Sequence, residues 1–170
     1  MGNTNDNLQE AFAGESQASR KYLYFAEKAD KEGQKYIARL FRAASDAETA
    51  HARNHLNVMG GIKSTADNLK SAIEGENHEF TKMYPDFIEK ATTEVNNDAA
   101  NTFELANKVE QIHHTLYSDA LARMEKGEDI ENKPIYVCQY CGNTVVGEAP
   151  DKCPICGVGK DRFELFIKAS

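Results

Sequence analysis

Four stretches of the chain carry apolar residues at intervals of three and four, and each stripe is interrupted by charge. The interval predicts amphipathic α-helices. The first spans about Asn5 to Glu32, with Leu8, Phe12, Tyr22, Phe25, Ala26 and Ala29 on its stripe and Glu15 among them. The second spans about Gln34 to Met59, where Ile37, Leu40, Phe41 and Ala44 give way to Glu48, His51 and His55. The third runs from about Asn68 to Val95 on Leu69, Ile73, Phe80, Met83 and Phe87, with Glu76 and Glu79 on or beside that face. Pro85 lies inside it and predicts a kink or a break. The fourth runs from about Asn97 to Lys126, and Glu110 and His113 sit in the stripe of Ala99, Phe103, Ala106, Val109, Leu116, Tyr117 and Ala120. Four such helices must bury their stripes against one another, so a four-helix bundle is the expected architecture.

The interrupting residues form a pattern. Glu48-Thr49-Ala50-His51 and Glu110-Gln111-Ile112-His113 are both Glu-x-x-His, and residues three apart share a helix face. Two such pairs, with one Glu from each remaining helix, make up the donor set of a dimetal carboxylate centre inside a bundle. Glu15 and Glu76 supply the remaining carboxylates, and Glu79 is a seventh candidate. Several carboxylates gathered in a core without cations would cost many kcal/mol. Two divalent ions reduce the charge of five carboxylates to one. His55, His78 and His114 read as core or flanking residues, and from spacing alone Tyr22 and Tyr84 read as core aromatics.

The two halves of the bundle look like copies. Ala13-Gly14-Glu15 aligns with Glu74-Gly75-Glu76 at an offset of 61, whereas Glu48 and His51 align with Glu110 and His113 at 62. Ala18 occupies the place corresponding to Glu79. Between the halves, Gly60-Gly61 closes the second helix and a polar link of about nine residues follows, reaching at most ~30 Å. A crossover of that length along the bundle would be taut, and exchange of hairpins between two chains would relieve it.

After a polar connector from Gly127 to Pro134, the composition turns to short β-branched and aromatic runs with Gly and Pro between them. Residues 135–170 are too few for a self-sufficient core, so a structural metal is expected. Its ligands are Cys138, Cys141, Cys153 and Cys156, two Cys-x-x-Cys pairs each followed by glycine. Zinc and iron both accept four thiolates, and spacing alone favours zinc. The resulting division is 1–126 for the bundle, 127–134 for the linker and 135–170 for a small β-rich metal domain.

Composition narrows the function. A formal net charge of −7 over 170 residues argues against nucleic-acid binding. No apolar run approaches the ~18 residues of a membrane span, and the polar start lacks a signal-peptide core. Clustered cysteines in that setting suggest metal ligation in a reducing cytoplasm.

Together these residues resemble the rubrerythrin family over essentially the whole chain. The resemblance rests on Ala11-Phe12-Ala13-Gly14-Glu15-Ser16-Gln17-Ala18, the two Glu-x-x-His helices, Gly75-Glu76-Asn77-His78-Glu79 leading to Met83-Tyr84-Pro85, and Cys153-Pro154-Ile155-Cys156-Gly157. It implies a ferritin-like di-iron bundle followed by a rubredoxin-like domain holding one iron on four thiolates, with zinc as a possible substitute. It implies a peroxidase that reduces hydrogen peroxide to water, with electrons from NAD(P)H through a reductase and rubredoxin. Residue by residue, Glu48 and Glu110 fall on the bridging positions. Glu15 and Glu79 fall on the terminal positions of one iron, and Glu76 and His113 on those of the other. His51 replaces Glu79 in the reduced state. A ferric ion prefers hard anionic oxygen, and a ferrous ion accepts imidazole more readily. Tyr22 and Tyr84 match hydrogen-bonding tyrosines. A homodimer or larger homo-oligomer, with electrons passed between chains, is implied as well. An iron-handling ferroxidase is the competing reading, but it leaves the four-cysteine domain unexplained. A zinc ribbon for macromolecular contacts is a third, and the even charge of residues 135–170 gives it no basic footprint.

Overall fold

The computed structural model describes residues 3–128 and 132–166, so part of the expected linker lies outside the described residues. The elements are α1 (Thr4–Lys31), α2 (Lys35–Val58), α3 (Thr65–His78), a π-helical turn (Glu79–Met83), α4 (Tyr84–Thr93), α5 (Asn97–Glu125), β1 (Ile135–Cys138), β2 (Thr144–Val146) and β3 (Phe163–Phe166). The fold class is therefore mainly α, ending in a small sheet. Among the described residues no helix is long and apolar enough to cross a membrane. The elements group into two compact units, one up to Lys63 and one from Ser64 onward.

Local chemistry sets the helix starts. Asn3 and Asp6 close a reciprocal capping box on α1. The Ser64 hydroxyl accepts from Asp67 N–H at 3.2 Å, which starts α3 at Thr65 rather than near Asn68. The third rod does not break at Pro85. It passes through the π turn, where Tyr84 N–H donates to the Glu79 carbonyl, and continues as α4. A turn of this width absorbs one extra residue.

The first unit is the antiparallel hairpin α1–α2. Its seam is made of small side chains: Ser19, Ala26 and Ala29 meet Ala38, Ser45 and Ala52, all buried. The buried hydroxyls of Ser19 and Ser45 are satisfied across the seam and by Thr49. Ser45 donates to the Ser19 carbonyl at 2.8 Å, Thr49 donates to the Ser45 carbonyl at 2.9 Å, and Ser19 Oγ meets Thr49 Oγ1 at 2.9 Å. Large apolar residues are turned outward; Phe25, Ile37 and Leu40 remain 46%, 43% and 57% exposed.

In the second unit, α3 and α4 run against α5. Phe87 and Phe103 lie 5.5 Å apart between ring centroids, Tyr84 and Phe103 6.2 Å, and Phe80 and His114 5.4 Å. His114 is thus an aromatic neighbour, as expected of a residue rotated about 100° from His113. The sheet is antiparallel in the order β2-β1-β3. Cys138, Ala149, Cys153 and Phe163 form its core, with Tyr136, Val145, Ile155 and Val158 packed around them. Burying Phe163 is worth roughly 1.5–3 kcal/mol. That is too little to hold so few residues without cross-linking by metal.

Candidate metal centres

The four cysteine sulfurs come together as two knuckles. Gly142 N–H donates to the Cys138 carbonyl and Gly157 N–H to the Cys153 carbonyl, both at 2.9 Å. Both glycines have positive φ, 83° and 78°, which reverses the chain after each pair at no side-chain cost. Cys138 and Cys156 Sγ are 3.7 Å apart, and Cys141 and Cys153 Sγ 3.6 Å. A tetrahedron with metal–sulfur bonds of about 2.3 Å has edges of about 3.8 Å, so the sulfurs already match a metal's geometry. None of the four cysteines is paired in a disulfide. Burial opposes the Cys153 thiolate, but the N–H groups of Cys156 and Ile155 bring it down to about 7. Burial pushes Cys141 and Cys156 up. Buried Asn143 adds a side-chain N–H to Cys153 Sγ at 3.7 Å.

The carboxylate candidates assemble by unit. In the hairpin, one donor atom each from Glu15, Glu48 and His51 lies within 4.8 Å of the others. His51 Nδ1 meets Glu48 Oε2 at 2.8 Å. In the second unit Glu76, Glu110 and His113 form the matching triplet. There, His113 Nδ1 is 2.8 Å from Glu110 Oε2 and 3.9 Å from Glu76 Oε1. Each triplet offers two carboxylates and one imidazole, the donor chemistry of half a dimetal carboxylate site. Tyr22 packs beside Phe25 and Phe41 in the hairpin, at 6.2 and 6.1 Å between centroids.

Electrostatics in the second unit show what a cation would relieve. Burial, followed by the Glu110 carboxylate, raises Glu76 to about 7. Glu79 is raised by burial and then by Glu110, so it belongs to the same negative field. Tyr84 is raised by burial and then by Glu110, Glu79 and Glu76. His113 is raised chiefly by its hydrogen bond to Glu110. A cation among these groups would relieve the same repulsion.

The π turn explains how Tyr84 reaches this group. In a plain α-helix, residue i+5 points about 140° away from residue i. In the π turn, Glu79 and Tyr84 are joined by an i to i+5 hydrogen bond and share a face. The same turn accounts for the change of offset between the halves. Glu15 and Glu76 differ by 61, Tyr22 and Tyr84 by 62, and the loops Glu32–Gln34 and Glu94–Asn96 are equal in length. The extra residue therefore falls between Glu79 and Tyr84, where the π turn lies.

Thr144 could not be picked out from residue order. Its hydroxyl lies 2.9 Å from His113 Nε2 and donates to the Gly142 carbonyl at 3.1 Å. With its proton so committed, Thr144 Oγ1 accepts from His113 Nε2–H. That leaves Nδ1, on the carboxylate side, as the coordinating atom. Asn143 was missed as well. The only signal for either was a polar pair directly after the first knuckle.

Comparison with known proteins finds one family over both regions. The rubrerythrin family pattern matches residues 6–121, and the pattern described as rubrerythrin, rubredoxin-like domain matches 136–164. Rubrerythrin-2 of Clostridium acetobutylicum is 38% identical, covering 96% of this chain and 96% of its own. Nigerythrin of Nitratidesulfovibrio vulgaris is 33% identical over 98% of this chain and 88% of its own. A solved structure of nigerythrin in a mixed-valence state aligns with a TM-score of 0.57 at 34% identity, covering 98% of this chain and 88% of that one. Another is described as fully reduced, all ferrous.

Proposed function

Because the chain belongs to the rubrerythrin family, carrying the donor sets of a di-iron carboxylate centre and of a rubredoxin-like four-cysteine site, we propose that it is a peroxidase that converts hydrogen peroxide, two electrons and two protons into two water molecules. When bound, the carboxylate-held irons supply the two electrons for cleaving the O–O bond, and the thiolate-held iron returns electrons one at a time. Glu15, Glu48, Glu76, Glu79, Glu110, His51 and His113 are the proposed ligands of the pair. Cys138, Cys141, Cys153 and Cys156 are those of the single iron.

Each side chain has a task that its chemistry suits. Glu48 and Glu110 would serve as the bridging carboxylates, each already in hydrogen-bond contact with its histidine through one oxygen. His113 keeps Nε2–H on Thr144 and presents Nδ1. Glu79 and His51 would be the alternative donors for the position whose preference changes with oxidation state. Tyr84, held protonated by burial and by three carboxylates, can donate from Oη to a ligand oxygen or to peroxide. Tyr22 has the matching role in the hairpin.

The observation that carries this reading is the 2.9 Å hydrogen bond between Thr144 and His113. It joins the first residue of β2, three positions after Cys141, to a ligand of the proposed iron pair within one chain. Electron delivery between chains, as the family resemblance implies, is then unnecessary for the last step. The ultimate donor is NAD(P)H, acting through a reductase and a rubredoxin. The test is Cys138→Ser. The variant should oxidise stoichiometrically when pre-reduced and then stop, whereas unchanged steady-state turnover would refute the relay. Dioxygen outpacing peroxide as oxidant of the reduced protein would favour iron handling instead.

A further inference from the structure

We propose that the side-chain amide of Asn143 raises the reduction potential of the iron held by the four cysteines. The proposal rests on the reading of that centre as a one-electron relay. The two knuckles repeat one hydrogen-bond pattern. Gly142 N–H returns to the Cys138 carbonyl and Gly157 N–H to the Cys153 carbonyl, both at 2.9 Å. Cys138 N–H donates to the Asn143 carbonyl at 2.9 Å, and Cys153 N–H to the Val158 carbonyl at 2.8 Å. The backbone N–H of Asn143 donates toward Cys141, and that of Val158 toward Cys156. Cys138 thus corresponds to Cys153, Cys141 to Cys156, and Asn143 to Val158.

The repeat fails at one side chain. Asn143 sends Nδ2–H across to the other knuckle, to Cys153 Sγ at 3.7 Å. Val158 has no side-chain donor, so it returns nothing to Cys138. Asn143 is 1% exposed and is among the largest fully buried side chains of the described residues. An amide taken out of water is destabilising unless it is hydrogen-bonded. Valine at the matching place shows that the turn itself does not require asparagine. The partner that the buried amide finds is a ligand sulfur.

Electrostatics give the sign of the effect. Four thiolates around one iron leave a single net negative charge in the ferric state and a double one in the ferrous state. Reduction adds one electron to the iron, and no covalent bond forms or breaks. The added charge spreads onto the sulfurs, so an N–H dipole aimed at one of them stabilises the ferrous state more than the ferric. Cys153 already takes the backbone N–H groups of Cys156 and Ile155, and the amide adds a donor to the same sulfur. The next residue, Thr144, meets His113 through its hydroxyl at 2.9 Å. Adjacent residues therefore act on the two centres, Asn143 on a sulfur of one and Thr144 on an imidazole of the other. A higher potential at the thiolate iron eases its filling by an external donor and reduces the drive for passing the electron on.

The test is Asn143→Val in the full iron-loaded chain, which gives both knuckles the same residue. An optical redox titration of the red ferric-thiolate band should show a lower potential than wild type. The fall should correspond to about two- to tenfold in the reduction equilibrium, the worth of one hydrogen bond. Tenfold is about 59 mV for a one-electron couple. Asn143→Leu also lacks a donor and should lower the potential as well, which covers a poor fit of valine. Ala149→Gly alters the same buried core but removes no donor, and its potential should stay at the wild-type value. A wild-type potential in iron-loaded Asn143→Val or Asn143→Leu would overturn the proposal. So would an equal fall in Ala149→Gly, which would assign the effect to packing. A wild type with no reversible one-electron step at these cysteines would overturn the relay reading, and this proposal with it.

Discussion

Replacing Thr144 with valine preserves the side chain's shape and removes one oxygen. The half-buried His113 then loses the acceptor of its Nε2–H at 2.9 Å, and the Gly142 carbonyl loses its donor at 3.1 Å. A hydrogen bond of this kind contributes about 0.5–1.5 kcal/mol, and a buried group left unpartnered costs about 1–3 kcal/mol. The metal feels the same change through the imidazole, which becomes less basic and free to rotate. Partners of metal-bound histidines are worth about 10–100-fold in affinity, or about 1.4–2.8 kcal/mol. Thr144→Val should therefore weaken iron at the carboxylate centre by 10–100-fold in competition with a chelator. The thiolate-bound iron, monitored by its visible colour in the same sample, should be retained. Thr144→Ser keeps the hydroxyl and should restore most of the loss. Affinity within twofold of wild type for Thr144→Val, or an equal loss in Thr144→Ser, would refute the role given to this hydroxyl.

Metal-free protein should lose thermal stability as pH rises from about 4.5 to about 7. Glu76 is raised from 4.5 to about 7, so across that window the folded state holds a proton that the unfolded state has released, and stability falls with pH. The raised His113 acts in the same direction, its contribution being lost as pH climbs through its folded value. Glu76→Gln should flatten most of this slope in melting curves, and iron loading should reverse it by replacing protons with a cation. Ser45→Leu forces a large side chain into the α1–α2 seam, where Ser45 is 3% exposed. It should cost about 1–3 kcal/mol by denaturant titration. A mutant as stable as wild type would mean that the seam is not tightly packed. Deleting Thr81 should convert the π turn to α-helix and rotate Tyr84 away from Glu79. Helix content by circular dichroism should be retained while peroxide turnover falls.

What could be read from residue order was what depends on period and spacing. Four helices follow from apolar repeats, and the ligand candidates follow from charges placed on those repeats. Two knuckles follow from Cys-x-x-Cys-Gly. What could not be read depends on hydrogen bonds between distant residues or on local backbone choice. Pro85 announced a disturbance, but not that a wide turn upstream would absorb it without a break. The start of α3 at Thr65 was hidden because one serine hydroxyl decides it. Thr144 meets His113 across 31 positions of sequence, and nothing about a threonine beside an asparagine announces that. Phe25 and Leu40 sit on core-type stripes yet stay exposed, because small residues form the hairpin's own seam.

The wide turn between Glu79 and Tyr84 also dates itself relative to the duplication suggested by the two halves. Loops of equal length join the paired helices in both, so a surplus of one residue was accepted inside a rod, where insertions are ordinarily rejected. It is tolerated there because the turn stores the added residue as a local swelling and leaves the rest of the helix in phase. Relatives that lack it should show a one-residue gap at this place and a phenol turned away from the acidic cluster.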